Sequence, residues 1–264
     1  IEDRLNYVPE QAEQQAEKLL EMGIENFKYR SHNVEPVTDL PMHEAIVGFS
    51  TESIMEALGN TLTPLLDAIK DGTIKGVAGF VCCTTLRDRG QDVHSVQMAK
   101  ELIKRDILVL SMGCGNAALQ VGGLCSPNAA EHAGPGLKAL CEKLRVPPVL
   151  SYGTCTDTGR VADMITAVSQ ALGNVPVPDL PVVAVAPEYM EQKATIDAIF
   201  ALAYGLYTYV NPVPNVTGAP NLVQLLTQDL AGVTGGLLDV ETDAVKAADN
   251  LLGHIQSRRD KLGI

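Results

Sequence analysis

From residue 77 to residue 210 the chain alternates short, almost wholly apolar runs with longer stretches whose apolar positions recur every three to four residues. The runs at 77–81, 107–112, 149–152 and 182–186 are rich in Val, Ile, Leu and Ala, as strands buried on both faces of a sheet are. The stretches at 93–105, about 116–144, 160–172 and 191–204 carry helical spacing. Weaker strands are expected at 206–210 and 236–240, around a helix at 222–230, and a basic-tipped helix at 243–261 closes the chain. Strands alternating with helices of this length predict βαβ units. The expected fold class is α/β: a Rossmann-like, mainly parallel, doubly wound sheet with an N-terminal helical appendage.

The amino-terminal part follows a different pattern. Residues 9–30 read as one amphipathic helix with Ala12, Ala16, Leu19, Leu20, Met22 and Ile24 on its apolar side. Residues 31–41 are polar and punctuated by prolines, the composition of a linker. The expected division is a helical segment over 1–34 and a Rossmann-like domain over 35–264. A short strand at 45–49 should lead into a helix that Ser50 or Thr51 caps and Gly59 ends, with a second short helix at 64–70. The chain opens at Ile1, already in a helical pattern, as a processed product or a piece of something longer would.

Composition narrows the partners. A net charge of −12 lacks the clustered Lys and Arg of a nucleic-acid footprint. No run reaches the roughly 18 apolar residues of a membrane span, and the acidic, helical opening is not the pattern expected of a signal peptide. Six cysteines occur without any CxxC spacing, which argues against a zinc ribbon or a thioredoxin-type site. Nor do they resemble a secreted disulfide scaffold, so a reducing cytoplasm is the expected compartment. GxGxxG, P-loop and GxSxG motifs are absent, leaving dinucleotide, nucleotide and hydrolase readings without anchors.

The carboxyl ends of parallel strands share one rim of the sheet, where ligands bind. Four chemically able positions fall there: Cys82-Cys83, Cys114, Cys155 and Lys193. Converging thiolates suit a soft metal or an iron–sulfur cluster. Cys114 lies between two glycines before a helix, and Cys155 sits after a glycine and before an Asp-Thr cap. Backbone can approach a ligand at such glycines, and a helix amino terminus favours a thiolate. Adjacent strand residues face opposite ways, so one of Cys82 and Cys83 can address the site, while both also suit core packing. Lys193 suits a solvated charge as well as a hydrogen-bond donor to a bound oxygen. Cys125 and Cys141 have the apolar helical surroundings of core residues, and His94 suits a cap or the surface.

The runs GFSTESIMEALG, HSVQMAKELIKRDILVLSMGCGNAALQVGGL, GPGLKALCEKL, PPVLSYGTCTDTGR and APEYMEQKA stand in the order found in the anaerobic nickel–iron–sulfur carbon monoxide dehydrogenases. The resemblance covers about residue 31 to the end and is to the carboxyl-terminal part of that family. Hybrid-cluster proteins, of the same superfamily, match less well. The resemblance implies a NiFe4S4-type cluster that interconverts CO and water with CO2, two protons and two electrons. It makes Cys83 (or, in the alternative register, Cys82), Cys114 and Cys155 cluster ligands and Lys193 the residue that holds the substrate oxygen. It also implies a redox-protein electron acceptor. A preceding part of the chain or a homodimer partner would supply further ligands and the electron-transfer clusters. His32 and His43 do not fall in the motif of the family's histidine ligand. The isolated chain is therefore expected to be incomplete and inactive. A hybrid-cluster-type reductase fragment and a free-standing cluster-binding module are the alternatives.

Overall fold

In a computed structural model the described residues are 5–30, Thr38, 44–190 and 192–264, the side chains of Gln192 and Lys193 excepted. The chain divides into two compact units, Ile1–Met42 and His43–Ile264. In the first, helix α1 (Ala12–Phe27) follows a short 3-10 turn, and its Leu19, Leu20, Ile24 and Phe27 are exposed. The linker expected at 31–41 lies, apart from Thr38, outside the described residues.

The second unit is built on six strands, β1 (Gly76–Cys82), β2 (Ile107–Met112), β3 (Val149–Gly153), β4 (Val182–Ala186), β5 (Tyr207–Val210) and β6 (Leu237–Val240). They form one sheet in the order β3-β2-β1-β4-β5-β6, and every pairing is parallel. This is the doubly wound arrangement, whose order reverses between β1 and β4 and opens a crevice at their carboxyl ends. The expected α/β class is thus the fold found. The strand expected at 45–49 is reduced to one parallel bridge between Val47 and Ser151, flanked by hydrogen bonds from Ile46 N to Cys125 O and from Phe49 N to Ser151 O. Gly48, at φ +90°, interrupts the extended run there.

Helices α2 (Thr51–Ala57), α3 (Thr63–Lys70), α4 (Val93–Lys104), α5 (Gly113–Val121), α6 (Pro135–Leu144), α7 (Thr158–Ala171), α8 (Gln192–Ala203) and α11 (Ala244–Leu262) surround the sheet. Two short helices, α9 (Pro220–Gln224) and α10 (Leu230–Thr234), are joined through a π turn into one rod, longer than the helix expected at 222–230. Ser50 caps α2 by accepting from Ser53 N, and Asp243 caps α11 by accepting from Val245 N and Lys246 N. On β1, Ala78, Phe80 and Cys82 join the core formed with Met98 and Leu102 of α4, Leu119 of α5 and Leu251 and Ile255 of α11. Val77, Gly79 and Val81, alternating with them, face an apolar layer formed with α2, α7 and α8. Each large side chain buried in that core contributes roughly 1.5–3 kcal/mol.

Candidate functional site

Each expected cysteine follows its strand closely. Cys83 is the residue after β1, Cys114 is the second residue of α5, and Cys155 opens a 3-10 turn two residues past β3. A parallel bridge between Cys82 and Gly113 carries the β1–β2 pairing past the strand ends, which brings the two cysteine turns together. Gly113 needs its positive φ of 72°, and a Cβ there would press to 3.1 Å from Cys82 O and 3.5 Å from Cys155 Cβ. Cys83, Cys114, Cys155 and Cys82 all line one cavity of about 360 Å³, together with Val81, Gly113, Ala117, Thr154, Ala194 and Asp197.

The adjacent pair divides by environment. Cys82 belongs to the main core, its sulfur 3.6 Å from Ser95 Oγ and so close to Gly115 that a Cβ there would collide with it. Burial pushes its thiol well above the ordinary range, against a smaller lowering by the Ser95 hydrogen bond. Cys83 instead packs with Tyr189 and with Ala194 of α8. Cys114 is exposed and Cys155 half-buried. Burial pushes the thiols of Cys125 and Cys141 up to about 12, as suits core residues away from any ligand.

Polar groups buried behind the cysteines hold their turns. Ser111 Oγ donates to Asn116 Oδ1 at 2.8 Å, and Asn116 Nδ2 donates to Ser151 Oγ at 3.0 Å and to Gly153 O at 3.3 Å. Asn116 therefore fastens α5, which carries Cys114, to the end of the strand that leads to Cys155. Thr154 and Asp157 close a capping box over the Cys155 turn, with Thr154 N donating to Asp157 Oδ2 at 2.7 Å. Glu188, fully buried after β4, accepts from Thr85 N, Asp92 N and Ser95 N at 2.9, 3.2 and 3.1 Å. It secures the loop between Cys83 and α4 together with the first turn of that helix.

His94 differs from its expected cap or surface role. It is fully buried, with Nε2 2.9 Å from Tyr209 Oη and Nδ1 2.8 Å from Asp88 Oδ2, the latter contact not aligned as a hydrogen bond. Burial lowers its pKa, partly opposed by Asp88. Lys193 is the second residue of α8, seven residues beyond β4, in the helix whose Ala194 and Asp197 line the thiol cavity. Asp197, Asn116 and Glu188 escaped the sequence reading. Asp197 had a local signal, its place one helical turn after Lys193, whereas the partners of Asn116 and Glu188 are distant in the chain.

Among the described residues no group of three His, Cys, Asp or Glu is gathered as a metal site. Thiols from three strand ends share one cavity, a donor set that suits a soft metal or an iron–sulfur cluster.

Residues 2–245 match the Prismane/CO dehydrogenase family. A carbon monoxide dehydrogenase 2 of Methanosarcina mazei is 73% identical over 264 residues, which are 100% of this chain and 42% of that protein. A carbon monoxide dehydrogenase of Archaeoglobus fulgidus is 56% identical over the same length and coverage. The solved nickel-free carbon monoxide dehydrogenase of Thermococcus sp. AM4 superposes with a TM-score of 0.90 at 41% identity, over 98% of this chain and 40% of that one. The chain thus spans about two-fifths of the length of these relatives.

Proposed function

Because the chain belongs to the Prismane/CO dehydrogenase family, we propose that it is the cluster-binding carboxyl-terminal part of a carbon monoxide dehydrogenase. The whole protein would interconvert CO and water with CO2, two protons and two electrons. The observation that carries this reading is the single cavity lined by Cys83, Cys114 and Cys155 at the carboxyl rim of the sheet. A nickel–iron–sulfur cluster, when bound, supplies the two-electron chemistry.

The residues of this chain do the holding and orienting. Cys83, Cys114 and Cys155 serve as thiolate ligands; the packing of Cys82 into the core and its raised pKa favour Cys83 as the ligand of the pair. The amino terminus of α5 stabilises the Cys114 thiolate, and Gly113 lets backbone approach the site. Lys193, as an ammonium, would donate hydrogen bonds to a substrate oxygen and deliver a proton there, and as the neutral amine it would take one up in the reverse direction. Asn116 and Glu188 keep the turns in register. Further ligands, and the clusters that carry electrons to a redox-protein acceptor, come from the preceding part of the longer protein or from a homodimer partner.

The test is the iron, nickel and sulfide content of the full-length protein purified without oxygen, with CO-dependent dye reduction measured alongside. Nickel with at least four irons per catalytic site and CO-dependent reduction are expected, together with no reduction by residues 1–264 alone. A metal-free full-length protein, or one that carries clusters yet ignores CO, overturns the reading. Reduction of small nitrogen species in place of CO would assign it to hybrid-cluster chemistry.

A further inference from the structure

A second cavity adjoins the thiol cavity, and the two meet at one carboxylate. The second, of about 190 Å³, lies between the sheet and helices α2, α7 and α8, and its walls are almost wholly apolar. Val81 and Asp197 line both. Among the described residues lining either space, Asp197 is the one Asp, Glu, Lys, Arg or His. Setting a carboxylate against an apolar wall is costly unless its oxygens are held. The Thr158 hydroxyl lies 3.3 Å from Asp197 Oδ1 and 3.3 Å from Cys155 O, so it can donate to either and links the carboxylate to the Cys155 turn. The charge thus has a fixed place in the wall, with low-dielectric side chains on one side and the thiols on the other.

We propose that Asp197 tunes the thiol cavity electrostatically, its negative charge making the cluster held there harder to reduce. This rests on the reading that Cys83, Cys114 and Cys155 hold a nickel–iron–sulfur cluster. Reduction adds an electron to a group already surrounded by thiolates, and a nearby fixed negative charge disfavours the more negative state. An apolar wall screens that charge less than water would. Replacing it with a neutral isostere that still accepts from Thr158 removes the field and keeps the hydrogen bond.

The experiment is an EPR-monitored redox titration of the full-length protein as wild type, Asp197→Asn and Asp197→Glu, with iron, nickel and sulfide counted first. The expected result is unchanged metal content in all three, a midpoint moved to more positive potential in Asp197→Asn, and a midpoint near wild type in Asp197→Glu. An unmoved midpoint in a fully loaded Asp197→Asn protein overturns the proposal alone. So does a shift in Asp197→Glu as large as that in Asp197→Asn, which would make position rather than charge the cause. Loss of metal from a folded Asp197→Asn protein overturns it as well, by making the carboxylate a determinant of assembly. A wild-type protein without nickel or iron overturns the reading beneath it, and this proposal with it.

Discussion

The thiols of Cys82 and Cys83 start from adjacent α-carbons and reach different surroundings, one against Ser95 and Gly115, the other against Tyr189 and Ala194. Size and polarity barely distinguish them, so substitution separates their roles by location. In the full-length protein, Cys83→Ser is expected to lose most of the bound nickel and iron, as are Cys114→Ser and Cys155→Ser. Cys82→Ala is expected to keep its metal and to lose roughly 1 kcal/mol of stability from one removed sulfur in a packed core. Metal analysis beside urea unfolding checks both, and metal loss in Cys82→Ala with full retention in Cys83→Ser would reverse the assignment. The positions of Cys114 and Cys155 beside the strand ends were legible in the sequence because a strand end, a glycine and a cap lie within a few residues of each. The division between Cys82 and Cys83 was not, because it depends on Ser95 and Ala194, which other elements deliver.

Among the elements, the loop from Cys83 to α4 has the most telling support. Glu188 reaches it from 103 residues away in the case of Thr85, and three backbone N–H groups converge on one buried carboxylate. Glu188→Ala leaves all three donors without their acceptor and is expected to cost roughly 3–5 kcal/mol. Glu188→Gln keeps an acceptor oxygen and is expected to lose only about 1–2 kcal/mol. Chemical denaturation of the two variants gives the comparison; equal losses would mean that charge, not donor satisfaction, holds the loop. The strand and helix pattern from 77 to 204 was readable because buried parallel strands and amphipathic helices each write their period locally. The Val47 bridge was not, since an apolar run of five cannot show that Gly48 breaks it or that only Ser151 pairs with it. Asn116 was equally silent, its partners Ser151 and Gly153 lying on another strand.

Across the whole molecule, the side of the sheet away from the cysteine rim carries its own electrostatics. His254 on α11 packs against the Tyr207 ring in a tilted arrangement, 4.5 Å between centroids, and its Nε2 accepts from Arg258 Nε at 3.3 Å. Burial first, and the Arg258 charge second, lower its pKa from 6.5 to about 4. A histidine held neutral this way contributes stability above pH 6.5 that drains away as pH falls toward 4, because the unfolded chain takes up the proton first. The wild-type urea midpoint should therefore fall more steeply between pH 7 and pH 4.5 than that of His254→Gln. Parallel slopes would mean that His254 is not held neutral.

The three thiols also arrive on three different strands, each closed off from the next by a helix and bound into one shared core. No short stretch of chain gathers them as a zinc finger gathers its ligands, so on the proposed reading metal would not serve as the nucleus of folding. On that reading the polypeptide would first set its strands side by side, and the inorganic part would enter afterwards. Stripping the iron from a loaded protein under anaerobic conditions should bleach its colour and leave the far-ultraviolet circular dichroism of the sheet and helices in place. On the proposed reading, a folded, empty protein would then wait for delivery of its metal.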